Sequence, residues 1–351
     1  LSQAYLFSGD PRYAHKCAVL LVRLASEYPN YGWNGIDPEL EDRSDRTLFG
    51  PWNQRDPANP WGGGGLISYT MWECSFLIAI GRAYDALFTA IAADAELLAF
   101  ARAKGLRVAS ADDLRQYIEN YLLRAGAQAL VTGRIDANEG GSQRTAAELA
   151  LLYDNFTDTH PNSIDLLDFA FFGRSGACNL VGCGIYPDGG GHESPFYNAS
   201  KFGLIDVARR IDELRRLHPG CLSVERYPDI FANPRARAMF DYYVDITICD
   251  GYIPLFGDTW PGDDRRNQPA TVLGAGSNML YAAERYDDPR FATACLDGQG
   301  GIIGGPIWES IPEERIRKMA ATIGNRLSRE SRLIDPYGVG ILESGDFERR
   351  R

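Results

Sequence analysis

The stretch from Tyr69 to Ala93, YTMWECSFLIAIGRAYDALFTAIAA, constrains the fold more than any other. It reads as one long, strongly apolar helix, and a helix apolar on most of its surface has to be covered by others. Companion helices are predicted on both sides of it. The SGDPRY turn supplies a helix start, after which Tyr13, Cys17, Leu20, Leu21 and Leu24 recur at helical spacing. ADDLRQYIENYLLRAGAQALV is amphipathic, with Leu114, Ile118, Tyr121 and Leu122 on one face. Asp112 and Asp113 stand near its start, where the helix dipole favours acids. Further helices are expected near 143–154, 162–172, 197–217, 234–249, 275–286 and 312–325, with glycine- and proline-rich connections between them.

Strand signals are sparse before GVGILESGDFERRR at the end, where alternation and a Ser-Gly-Asp turn predict the opening of a hairpin. No partner strands follow, and a two-stranded ribbon alone is marginal, so the expectation is a chain cut before a β domain. The expected fold class is mainly α, with roughly ten helices in one domain over 1–332 and the first strands of a C-terminal antiparallel β-sheet domain over 333–351. Antiparallel helix pairs curling into an incomplete toroid would leave the long connections at one rim. Periodicity predicts the helices, not the ring.

The longest connection, WNGIDPELEDRSDRTLFGPWNQRDPANPWGGGG, exceeds an ordinary linker, and loops of that length are often functional. Its acidic part lacks the residue order of a calcium loop and reads as a solvated segment. Seven cysteines without Cys-x-x-Cys spacing favour free core thiols over a disulfide scaffold or a zinc knot. The formal charge of −11 argues against nucleic acid and anionic membranes as partners, yet allows an anionic substrate in a local basic cleft. No apolar run long enough for a membrane span is expected. The first residues carry no export signal, so a fragment or processed form is expected.

Two polar clusters carry candidate chemistry. In DANEGGSQRTAAELALLYDN, Asn138 and Glu139 precede two glycines and a helix that Ser142 can cap. In DGGGHESPFYN, three glycines lead to His192, Glu193 and Tyr197, Asp188 can stabilise a turn, and Ser194-Pro195 can start a helix. Each residue alone has a structural explanation. Together they suit β-elimination from a uronate-containing glycan. The proton next to a charged carboxylate is barely acidic, so the chemistry needs a group that neutralises the carboxylate and a base within reach of the proton. Asn138 can donate its amide to the carboxylate. Tyr197 can take the proton and return one to the departing oxygen. No metal or organic cofactor is required, and the four histidines are scattered, with no His-x-x-x-His pair.

These residues resemble those of the heparinase II/III-like polysaccharide lyases. DGGGHESPFY resembles the family's Asp-Gly…Glu-(Gly)-Ser-Pro-x-Tyr signature, and SQAYLFSGDPRYAHK is similar to the run near the start of its toroid. WECSFLIAIGRAYDAL, YIPLFGDTWP and GVGILESGD resemble later family segments, and all occur in family order across nearly the whole chain. The resemblance implies an incomplete (α/α) toroid followed by an antiparallel β domain, with Asn138 in the place of the carboxylate-neutralising Asn and Tyr197 in that of the catalytic tyrosine. It also implies a periplasmic or secreted protein acting on an anionic polysaccharide. There are departures: Glu139 stands where an aromatic residue or His commonly follows the Asn, and His192 falls in a slot more often aromatic and can share the neutralising role. The family's later His or Tyr would lie beyond Arg351.

Substrate contacts are expected from Glu193, Gln143 and Arg144, the last suited to bidentate carboxylate recognition. Trp72 and Trp260 can stack on sugar faces, and Arg43, Arg46 and Arg55 in the long loop can add positive charge. Two other readings fit the same fold class. One is a glycoside hydrolase using Glu193 with Asp188 or Asp258. The other is a glycan-binding protein without turnover.

Overall fold

The computed structural model describes residues 1–28, 70–133, 135–157, 160–248, 253–254, 256–257, 275–296, 312–325, 327 and 330–344. The long loop with Arg43, Arg46 and Arg55, together with Cys249, Asp258 and Trp260, lies outside them. The described chain is mainly helical, with one small two-stranded antiparallel sheet among the described residues. It divides into two compact units, Leu1–Gly176 with Arg209–Ser223, and Ala177–Ala208 with Val224–Arg351.

In the first unit α1 (Ser2–Ser8), α2 (Pro11–Glu27), α3 (Thr70–Ala93), α4 (Ala95–Ala103), α5 (Ala111–Ile118), α6 (Ala125–Val131), α7 (Gly141–Tyr153) and α8 (Ser163–Phe172) follow one another. The apolar α3 is the hub, packing on α1, α2, α5 and α7. By length and composition Trp72–Ala93 is apolar enough to cross a membrane, contrary to the expectation that no such run exists. One face of it, with Cys74, Leu77, Ile80, Tyr84, Leu87 and Ile91, is buried within the protein, while Trp72 and Phe88 are exposed. Helix α7, with Ala146, Ala147 and Ala150 buried, packs on α8, where Leu166, Leu167 and Ala170 are buried. Helix starts follow their side-chain chemistry. Asp10 accepts from the Arg12 N–H at 2.9 Å with Pro11 in the first position of α2, and Ser110 with Asp113, and Asn162 with Asp165, form capping boxes.

Three local expectations are corrected. On α2 the buried face is Ala14, Cys17, Ala18, Leu21, Val22 and Ala25, while Tyr13 and Leu20 are exposed. The amphipathic segment predicted as one helix opens into a π-helical turn at Glu119–Arg124 between α5 and α6. Its extra residue per turn lets Leu122 and Leu123 both face inward, while Tyr121 turns out to pack on Tyr117 at a 4.8 Å ring separation. Six described cysteines are free, but only Cys17, Cys74 and Cys295 are buried; Cys178, Cys183 and Cys221 are exposed.

The second unit begins with a single turn, α9 (Ala177–Asn179), a π-helical turn at Leu180–Gly184 and a 3-10 turn at Tyr197–Phe202. Next, α10 (Gly203–Leu217) carries the chain into the first unit. After it come α11 (Pro234–Ile246), α12 (Ala275–Tyr286), α13 (Pro289–Ala294), α14 (Glu313–Ala321) and a hairpin of β1 (Arg332–Ile334) and β2 (Val339–Ile341). The core is aromatic. Phe240 of α11 lies 5.3 Å from the Phe202 ring and 5.9 Å from those of Phe231 and Phe291.

The hairpin corrects the expected end of the chain. Val339–Ile341 is a second strand, paired antiparallel with Arg332–Ile334 across the turn Asp-Pro-Tyr-Gly at 335–338; Gly345 and Asp346 of the predicted Ser-Gly-Asp turn lie outside the described residues. A ribbon this short needs outside support. Arg332 supplies it: Nε donates to the Asp245 carbonyl at 2.6 Å, Nη2 to that of Thr247 at 2.8 Å, and Nη1 pairs with Glu343 at 2.6 Å.

Candidate active site

The candidate residues divide between the units. Asn138, Gln143, Arg144 and Trp72 belong to the first, and Asp188, His192, Glu193 and Tyr197 to the second.

Asn138 stands in the tight turn before α7, where its carbonyl accepts from the Gly141 N–H at 2.8 Å. The turn depends on Gly140, whose φ of +89° lies in the left-handed region. The helix is capped from inside. The Gln143 Oε1 accepts from the Gly140 N–H at 3.0 Å, so Gln143, 3% exposed, serves as the cap rather than presenting itself to a ligand. Ser142, expected as the cap, is the second residue of the helix. Its hydroxyl accepts from the Ala137 N–H and donates to Asp136 Oδ1, each at 2.9 Å, bracing the loop. The Asn138 side chain is half-buried and makes no hydrogen bond among the described residues. Glu139 and Arg144 are also half-buried, and Trp72 is 68% exposed at the start of α3. Replacing Gly140 by Ala is expected to cost about 1–2 kcal/mol, because a side chain resists that backbone conformation. A urea midpoint unchanged from wild type would show that the turn tolerates it.

In the second unit Tyr197 opens the 3-10 turn. Its N–H donates to Ser194 Oγ at 3.3 Å, its carbonyl accepts from Ser200 Oγ at 2.8 Å, and its ring meets Phe196 edge-on at 5.3 Å. The side chain is half-buried, not sealed in the core. His192 is exposed, with Nε2 4.0 Å from the Glu193 carboxylate, whose side chain is 39% exposed. Asp188 is occupied: Oδ1 accepts from the Gly190 N–H at 3.1 Å and Oδ2 from the Tyr337 N–H at 2.8 Å.

Residues that motif reading passed over hold this loop. The Glu193 carbonyl accepts from the Tyr337 hydroxyl at 2.8 Å and from Asn198 Nδ2 at 2.9 Å. Asn198 Oδ1 accepts from Lys201 Nζ at 2.6 Å, and both residues are 1% exposed. Burial pushes the Tyr337 phenol above its ordinary range, keeping it a proton donor near neutrality. Nothing in NASKF or DPYG signals these contacts, since burial of a lysine follows from tertiary packing alone.

Among the described residues no three His, Cys, Asp or Glu side chains gather as metal ligands. A cavity of about 700 Å³ beside the first turn of α14, lined by Pro312, Glu313, Glu314, Arg315 and Lys318, shares no residue with the candidates. No protein-family model and no curated protein matches the chain.

Proposed function

We propose that the protein is a lyase that cleaves a uronate-containing glycan by β-elimination without a metal. The Asn138 amide donates to the uronate carboxylate and stabilises the charge that develops there. The Tyr197 phenolate removes the proton on the adjacent carbon. The electron pair of that C–H bond forms the new double bond as the glycosidic C–O bond breaks, and the departing oxygen takes the proton from Tyr197. His192 shares in neutralising the carboxylate, and Arg144 and Trp72 contribute to substrate binding. A periplasmic or secreted setting accords with a polymeric substrate.

The observation that carries the reading is the Asn138 amide, half-buried beside the first turn of α7 and without a hydrogen-bond partner among the described residues. A helix N-terminus favours an anion, and an unpaired amide donor beside it suits a carboxylate. Against a hydrolase that pairs Glu193 with Asp188, both Asp188 oxygens are held by backbone N–H groups; the alternative partner, Asp258, lies outside the described residues.

The test is a screen against heparan, alginate, hyaluronan, ulvan and pectin, following ultraviolet absorbance of the conjugated double bond together with reducing ends. Both signals are expected to rise on one polymer. Reducing ends without absorbance would assign hydrolysis instead, and binding without either signal would assign a glycan-binding protein.

A further inference from the structure

We propose that Lys201 and Asn198 are the positioning pair that sets the conformation of the loop from Gly189 to Tyr197. A lysine and an asparagine that are each 1% exposed are costly to bury, and a position needing only volume is better filled by an apolar side chain. Their contacts give the burial a purpose. A lysine ammonium donates and does not accept, so it fixes Oδ1 of Asn198 toward itself. A backbone carbonyl only accepts, so Nδ2 must face Glu193. Both ends demand the same amide orientation, and the distances of 2.6 and 2.9 Å satisfy it.

The loop is shaped to receive this pair. A Cβ at Gly191 would stand 1.8 Å from Lys201 Nζ and 2.6 Å from Asn198 Oδ1, so only glycine lets the ammonium approach. The Asn198 N–H also donates to the Ser194 carbonyl at 2.9 Å, tying the far side of the loop to the same residue. The Tyr337 hydroxyl is the second donor on the Glu193 carbonyl. That carbonyl lies between His192 and Tyr197 in sequence, so two donors on it fix the backbone from which both candidate side chains project. The role in catalysis rests on the proposed function; the role in loop geometry does not.

Three variants test this by amide hydrogen exchange. Asn198→Asp keeps the shape and gives Lys201 a charged partner, but removes the N–H that holds Glu193. Lys201→Met removes the donor that orients the amide, and Tyr337→Phe removes the second donor on the Glu193 carbonyl while keeping the ring. Each is expected to raise exchange across 190–197 by about tenfold or more, with α14 unchanged. The idea is overturned if the loop exchanges as in wild type, or if α14 loosens equally, which would mark a general packing role. Should Lys201→Met fail to fold, Asn198→Asp and Tyr337→Phe decide the matter. On a glycan cleaved in the screen, kcat is expected to fall about tenfold or more with KM little changed. If no glycan is cleaved, the lyase reading fails while the exchange experiment still judges the pair.

Discussion

Replacing Tyr197 by Phe is expected to lower double-bond formation from a uronate glycan by about 10³-fold or more, roughly 4 kcal/mol of transition-state stabilisation. The size follows from the two proton transfers assigned to one hydroxyl. The substitution is mild for the fold: the ring keeps its edge contact with Phe196, and the backbone bonds to Ser194 and Ser200 do not involve the phenol. The thermal midpoint should therefore stay close to wild type while turnover is lost. Asn138→Ala gives the complementary result, a loss of about 10²–10³-fold, the usual cost of one donor to developing negative charge. A Tyr197→Phe protein that retained eliminative activity would remove Tyr197 from the mechanism. Retained release of reducing ends without absorbance would instead favour hydrolysis.

The helices could be read in the sequence because burial against neighbours repeats with the helical period, as in Cys17 and Leu21 of α2 or Leu114 and Ile118 of α5. Which way a helix faces was less legible. Size misled in α2, where Tyr13 and Leu20 share the helical spacing but are exposed, while Ala14, Ala18 and Ala25 are buried beside Cys17, Leu21 and Val22. The π-helical turn after α5 was hidden because one inserted residue shifts the phase without changing composition. The first strand of the hairpin was masked by the charged SRESR run before it, although Asp-Pro-Tyr-Gly carries an ordinary turn signature. At the candidate site, the Asn-Glu-Gly-Gly and triple-glycine stretches were legible as turns before a helix. The packing that shapes them could not be read, because Gln143, Lys201 and Tyr337 find their partners through tertiary structure. In the case of Tyr337 the partner is a carbonyl far away in the chain.

A second large effect is expected away from the site, at Glu148. Its side chain is 5% exposed and lies between Arg82 Nε at 2.7 Å and Arg210 Nε at 2.8 Å. Burial alone would raise this carboxyl. The Arg82 hydrogen bond and the charges of Arg210 and Arg82 outweigh it and hold the group below the usual carboxylate range. Exposed pairs such as Arg216 with Glu213 are worth little, but a buried carboxylate removed from between two guanidiniums leaves charge uncompensated, above all on the largely buried Arg210. Glu148→Gln is expected to cost about 2–4 kcal/mol at pH 7, at the lower end because Arg82 is half-exposed to water. The pH dependence has a fixed sign. A carboxyl depressed in the folded state stabilises fully above its unfolded value, near 4.3, and loses that contribution as pH falls through the folded value. The gap in urea midpoint between wild type and Glu148→Gln should thus be full at pH 7 and shrink steadily below about pH 4. Equal midpoints at pH 7 would mean that desolvation cancels the ion pairs. A gap that persisted unchanged into strong acid would mean that Glu148 stabilises the unit through its shape rather than its charge.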